Sequence, residues 1–277
     1  MSKIINILLA VVALSGIAML LYPTVSDQYT QYLNARRIYS YVHTTEAIAP
    51  EDYRHMLADA RAYNARLVDI EIRDAFSGEA FESSDEYMSL LDPAGDGIMG
   101  VVEIPKIGVR LPIHHGTGTD VLRQGVGHME GTSLPVGGEG THCGMSGHRG
   151  LPSARLFTDL DQLVVGDLFY IIVLDELLVY QVDSIMVVLP HELDYLAVQP
   201  GEDLCTLVTC TPYGVNTHRL LVRGRRVALE SVSGLLMLDD SVADVADWNS
   251  VLICAAPAAL TGLLLMLLIR PKRRFMK

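Results

Sequence analysis

The chain has 277 residues, half of them hydrophobic, and sets 33 acidic against 21 basic side chains for a formal net charge of −12. That length holds one generous domain or two small ones with a real core. The charge argues against nucleic acid as a partner, because a phosphate backbone is bound by extensive Lys and Arg clusters, and the notable basic clusters here are "RGRRV" and the C-terminal tail.

In chain order, the first element is the uncharged run from Ile4 to Ser26. At 1.5 Å rise per residue it crosses a hydrocarbon layer of about 30 Å, which predicts a membrane helix over 1–26. No A-x-A-like site follows directly, so the run reads as a retained anchor rather than a cleaved signal. Residues 27–69 contain two polar, tyrosine-rich segments, "DQYTQYLNARRIYSYV" and "PEDYRHMLADARAYNARLVD". Their apolar positions recur three and four apart, as in Tyr53, Met56, Leu57 and Ala60, and predict amphipathic helices. Pro50 with Glu51 and Asp52 supplies the second with a start and with acids in its first turn. Residues 70–97 turn acidic and loop-like and are expected to form a linker and lid.

From Ile98 the character changes to short β-rich runs punctuated by Gly, Pro and Asp, among them "GVVEIPKIGVRLPI", "THCGMSG", "DLFYIIVL", "LLVYQVDSIMVV", "LCTLVTC" and "HRLLVRGRRVAL". Such spacing predicts a mainly β domain over 98–230, closed or nearly closed into a barrel. The acidic stretch 231–247 reads as a solvated linker rather than a calcium site. A second uncharged run over 248–269 predicts a second membrane helix, in which Pro257 is tolerated, and "RPKRRFMK" over 270–277 forms a basic tail. Lys3 before the first helix and that tail after the second put both termini in the cytoplasm and the barrel outside, a two-pass arrangement.

The four cysteines, Cys143, Cys205, Cys210 and Cys254, form no C-x-x-C pair and match no common zinc spacing, so no metal is expected. Cys210 stands where an apolar, β-branched run gives way to the turn-forming "TPYG", and Arg219 lies nine positions later near the start of the next such run. Alone, Cys210 reads as a small buried core residue. Together the two place a nucleophile and a permanent cation on neighbouring strands, an arrangement suited to acyl transfer, with the guanidinium donating to a developing oxyanion. A base is also required. His148, in "SGHRGLP", is presented at a loop between Gly147 and Gly150 and is the first choice. His218 points to the opposite face from Arg219, His142 lies within a strand, and His114, His115 and His128 read as structural or solvated. At ordinary pKa values roughly 3% of such a thiol is ionised and about a quarter of such an imidazole protonated at pH 7, so the doubly charged pair is on the order of 1%.

With "TLVTC", an arginine nine residues on and "SGHRG" about sixty residues upstream, the chain resembles the sortases, cysteine transpeptidases of the Gram-positive surface. The likeness runs through "IPKIGVRLPIHHGT", "GVGHMEGTSLPVGGEGTHC", "GLPSARLFTDLDQL" and "CTPYGVNTHRLLVRGRRV", roughly residues 98–228. The N-terminal helical extension, an Asp-Pro lid segment and a C-terminal membrane helix resemble class C, the pilin-polymerising branch. The resemblance implies an eight-stranded sortase barrel and no metal or organic cofactor. It further implies that Cys210 attacks the Thr–Gly bond of an LPXTG-like sorting signal, that His148 protonates the leaving amine, and that Arg219 holds the oxyanion.

The implied partners are pilin or surface proteins bearing such signals, with a pilin lysine amine resolving the thioester. The alternatives are a wall-anchoring sortase that uses a peptidoglycan-precursor amine, a hydrolytic cysteine protease, and a non-catalytic membrane-anchored binding module. The resemblance also assigns the lid to Asp92, Pro93 and Ala94, with Asp92 expected on Arg219, although the family usually has an aromatic residue after Asp-Pro. In the sortase barrel the strands leading to the two catalytic residues are neighbours, so Cys143 and Cys205, each five residues before one of them, read as small packed residues or as a disulfide.

Overall fold

The computed structural model describes residues 2–67, 72–77 and 83–228. Its first element, α1 (Ser2–Glu46), is one helix of 45 residues. The boundary expected between an anchor ending at residue 26 and a separate amphipathic helix is absent, because one helix runs without a break through residues 26 and 27 to Glu46. An 18-residue window of mean hydropathy 2.7 makes α1 long and apolar enough to cross a membrane. Its N-terminal half exposes Leu8, Met19 and Leu20, whereas Ile38 and Tyr41 in the C-terminal half are buried. The second membrane helix expected over 248–269, with Cys254, lies outside the described residues.

Eight strands follow: β1 (Ile98–Ile104), β2 (Val109–His114), β3 (Val126–His128), β4 (Thr141–Ser146), β5 (Leu168–Val173), β6 (Glu176–Val188), β7 (Asp203–Thr211) and β8 (His218–Arg226). They close into a barrel in the order β1-β2-β3-β4-β7-β8-β6-β5. Two pairings are parallel, β2 with β3 and β4 with β7, and the rest are antiparallel. Closure leaves no exposed edge to recruit a foreign strand.

Among the described residues three further α-helices pack on this frame: α2 (Pro50–Asn64), α3 (Asp85–Ser89) and α4 (Thr119–Gln124). The Leu57 and Ala60 face of α2 joins the barrel core, and Asn64 pins the helix by accepting from the Leu134 N–H at 2.8 Å and donating to the Leu134 carbonyl at 3.1 Å. Tyr41 of α1 is fully buried; its hydroxyl donates to the Met99 carbonyl and accepts from the Leu174 N–H, which ties the long helix to the barrel wall beside β1. Buried hydroxyls of this kind need such partners, since an unpaired one costs roughly 1–3 kcal/mol.

β4 is buried at every position and β7 everywhere except its two ends, because both faces of the pair are covered. Cys143, Met145, Cys205 and Leu207 face the barrel core with Phe157 and Phe169. On the opposite face, Val208 and Leu221 pack with Val188, Leu193 and Leu196 from β6 and the loop after it, and with Ile72, Ala75 and Phe76 from the segment 72–77. His142 fastens that loop. Its ring donates from Nδ1 to the Ala197 carbonyl at 3.0 Å and accepts at Nε2 from the Thr206 hydroxyl at 2.7 Å. This outer face, roofed by one loop and one strap, holds the site.

Candidate active site

Strand register assembles the three candidate side chains. Cys210 of β7 pairs directly with Arg219 of β8. On the other side β7 runs parallel to β4 with Ser146 opposite Val208, so His148 and Cys210 lie equally far along, each two residues past the last pair. Alternation puts Cys210 on the same face as Val208, and Arg219 on the same face as Leu221. The thiol therefore sits between the strand end that leads to the imidazole and the strand that carries the guanidinium.

Each neighbour of the thiol is fixed locally. The chain leaves β4 through Gly147, where an added Cβ would lie 2.7 Å from the Phe157 ring, so only glycine admits that packing. The His148 carbonyl then accepts from the Phe157 N–H at 3.1 Å, closing the loop. Thr209 of β7 donates to the Gly147 carbonyl at 2.7 Å and ties the two strand ends together. Arg219 is only 5% exposed, and its Nη1 donates to the carbonyls of Asn216 and His218, both at 3.1 Å.

The Nε and Nη2 side of Arg219 faces Asp74. Nε reaches Oδ1 at 2.7 Å and Nη2 reaches Oδ2 at 2.6 Å, a bidentate pair with both side chains largely buried. Phe76 completes the cover: the Arg219 guanidinium lies 5.2 Å from its ring centroid, and the ring stands 5.3 Å from that of His148. The strap over the site is thus Asp74, Ala75 and Phe76, which corrects the expected lid of Asp92, Pro93 and Ala94. Asp92 cannot serve Arg219 because its carboxylate accepts from the N–H groups of Asp96 and Gly97, at 3.0 and 3.1 Å, in the turn that leads into β1. The sequence signal for this strap is an acid two residues before an aromatic, Asp74-Ala75-Phe76, with alanine in the place of an Asp-Pro proline.

The cover sets the electrostatics. Burial pushes the Cys210 thiol up, Arg219 pulls it back, and Asp74 pushes it up again. Burial holds the His148 imidazole below its ordinary value, and the Arg123 cation lowers it further. Under the strap both groups are driven toward their neutral forms.

Four of the other histidines sit away from the thiol. His115 directs its ring nitrogens at the carbonyls of Gly97 and Leu90, His128 bridges the Tyr87 hydroxyl and the Ser133 carbonyl, and His218 meets Thr217. His114 lines a hollow of about 350 Å³ beside Arg37. Cys143 and Cys205 are paired in register across β4 and β7, yet both are free thiols, which corrects the disulfide reading. Inside the barrel, burial pushes the Cys143 thiol up, while its neighbours Cys205 and His128 pull it down more strongly, for a net lowering. No cluster of His, Cys, Asp and Glu able to hold a metal occurs among the described residues.

A sortase-domain family model matches residues 102–227. Sortase C-1 from Actinomyces oris is 46% identical with a TM-score of 0.62, over 65% of this chain and 100% of that one. A pilus-related sortase C of Group B Streptococcus is 37% identical with a TM-score of 0.63, over 72% and 98% of the two chains. Sortase D of Bacillus subtilis (strain 168) is 30% identical over 131 residues, and the chain spans 63% of that curated relative's length. Shared barrel and likeness over the whole of the Actinomyces chain agree: the chain belongs to the sortase family, in its class C branch.

Proposed function

We propose that the chain is a membrane-anchored cysteine transpeptidase that cleaves an LPXTG-like sorting signal and joins it to a lysine amine of a pilin subunit. The observation that carries this reading is the register of three neighbouring strand ends, which sets Cys210 between His148 and Arg219 on one face. Its pilin branch is supported by the relatives, one of which is a pilus-related sortase C. Its anchoring is supported by the apolar half of α1.

The chemistry follows from the groups present. The Cys210 proton passes to His148, and the sulfur attacks the threonyl carbonyl carbon of the signal. Arg219 donates hydrogen bonds to the oxygen as it becomes an oxyanion. As the Thr–Gly bond breaks, His148 gives its proton to the departing glycine amine and a thioester remains on Cys210. A lysine amine then attacks the thioester, His148 takes the amine proton, and the proton returns to the sulfur as the isopeptide bond forms. No step requires a metal or redox group.

The strap makes the described state a resting one. Asp74 fills the forked donors that an oxyanion needs, and Phe76 covers the approach between Arg219 and His148. Substrate must displace both. Mass spectrometry of products from the chain, an LPXTG-like peptide and a candidate pilin tests the reading. An isopeptide-linked product, lost in Cys210→Ala, is expected. Free acid alone despite plentiful amine would make the chain a hydrolase, and transfer only to a peptidoglycan-precursor amine would make it a wall-anchoring enzyme.

A further inference from the structure

The loop that carries His148 is held by α1. Asp27 Oδ1 accepts from the Arg155 N–H at 2.7 Å, and the Thr30 hydroxyl donates to the Ser153 carbonyl at 3.2 Å. Asp27 and Thr30 are three apart, on one helix face, and Asp27 is the first residue after the uncharged run. Its second carboxylate oxygen accepts from Gln31 Nε2 at 2.8 Å, which fixes the orientation of the first.

These contacts reach the imidazole through a short closed loop. Besides the Phe157-to-His148 bond, the Gly150 N–H donates to the Thr158 hydroxyl at 3.1 Å, and Leu151 bridges Ala154. At the start of the loop, the Arg149 guanidinium lies 5.6 Å from the ring centroid of Tyr213, in the turn after Cys210, and pairs with Asp161. The loop is thus braced toward the nucleophile by Tyr213 and toward the helix by Asp27 and Thr30. The helix is stiff enough to act as a brace, since it is unbroken from Ser2 to Glu46 and its far end is pinned to the barrel through Tyr41.

We propose that Asp27 and Thr30 are positioning residues for the base: α1 holds the 150–158 loop so that the His148 ring stays within reach of Cys210 and of the amine. The helix that anchors the chain is then also part of the catalytic framework, and losing its hold lowers turnover without touching a reacting atom. The inference rests on the proposed role of His148. It is physically reasonable because a base must lie within hydrogen-bond reach of its proton, and a misplacement of about 1 Å can cost on the order of a hundredfold in rate.

The test uses the full chain in lipid nanodiscs and an LPXTG-like peptide. Asp27→Ala combined with Thr30→Val is expected to lower kcat about tenfold with KM changed less than about twofold, as loss of positioning rather than of binding. The pH–rate limb that depends on His148 is expected to move up, toward the ordinary imidazole value, as the loosened ring hydrates. Asp27→Asn with Thr30→Ser keeps an acceptor and a donor and is expected to restore both. Thr30→Val alone removes one hydroxyl and guards against misfolding of the double variant, with an expected loss of about threefold.

Wild-type kcat and an unshifted limb in the double variant, with His148→Ala inactive, would overturn the positioning role alone. So would a rescue pair as slow as the double variant. Full turnover in His148→Ala would overturn the reading of the base, and this inference with it.

Discussion

The strands β4 and β7 carry cysteine chemistry at two levels, and the two levels behave oppositely. Cys143 and Cys205 lie directly opposite one another in the barrel, with His128 against Cys143. Five residues further along the same strands, His148 and Cys210 stand at the ends. Five is odd, so alternation turns Cys143 and Cys205 inward and Cys210 outward, and His148, two residues past β4, meets Phe76 on that outer side. The inner thiols are sealed in a packed core, whereas the outer thiol is covered by a strap that one ion pair and one ring hold down. A cysteine beside a histidine is therefore not by itself a reactive site. Its face of the sheet and its cover decide.

The largest expected contrast separates the levels outright. Cys210→Ala is expected to abolish peptide cleavage, while Cys143→Ala and Cys205→Ala keep turnover and lose on the order of 1 kcal/mol of stability as small buried groups, read by denaturant melts. Alkylation followed by peptide mapping sharpens this. Cys210 is expected to label in the native chain, and Cys143 and Cys205 only after unfolding.

The strap gives the next effect. Phe76→Ala or Asp74→Ala is expected to speed Cys210 alkylation by roughly tenfold, because each uncovers the thiol or frees Arg219 to stabilise the thiolate. Asp92→Ala is expected to leave that rate unchanged, since its carboxylate serves only the turn before β1. The direction with pH follows. Burial and Asp74 raise the thiol, so opening the strap lowers the midpoint of the alkylation–pH curve. Burial lowers His148, so opening raises the imidazole limb of the rate profile. The two limbs thus approach each other, and limbs that move apart would break the account.

The smallest effect belongs to Arg123, an exposed cation that lowers His148 from a distance. Arg123→Ala is expected to raise the imidazole limb slightly at low salt and not at all at high salt, where such charges are screened.

Much of the barrel was legible because its long strands advertise themselves. The run "LCTLVTC" and the arginine nine positions on can be read as two strands with Cys210 facing Arg219, the pair found in register. By contrast β3 is three residues with Gly127 at its centre, and α4 is a single short helix, so neither carries enough periodicity to be seen. The end of the uncharged run at Ser26 made α1 look like two elements, since a change from apolar to polar composition marks a change of surroundings and not a break in the helix, which runs on to Glu46. The strap was misplaced for a different reason. An Asp-Pro pair resembled a lid, while Asp74 acquires meaning only once the barrel brings Arg219 beside it across 145 positions.

The most direct measurement is the intact mass of the full chain after incubation with an LPXTG-like peptide, in the wild type, in Phe76→Ala and in Phe76→Ala with Cys210→Ala. A thioester adduct that accumulates faster once Phe76 is removed, and vanishes with Cys210, is the predicted result. An adduct that persists without Cys210, or none in any form of the chain, would contradict the claim that this covered rim is where the acyl group is held.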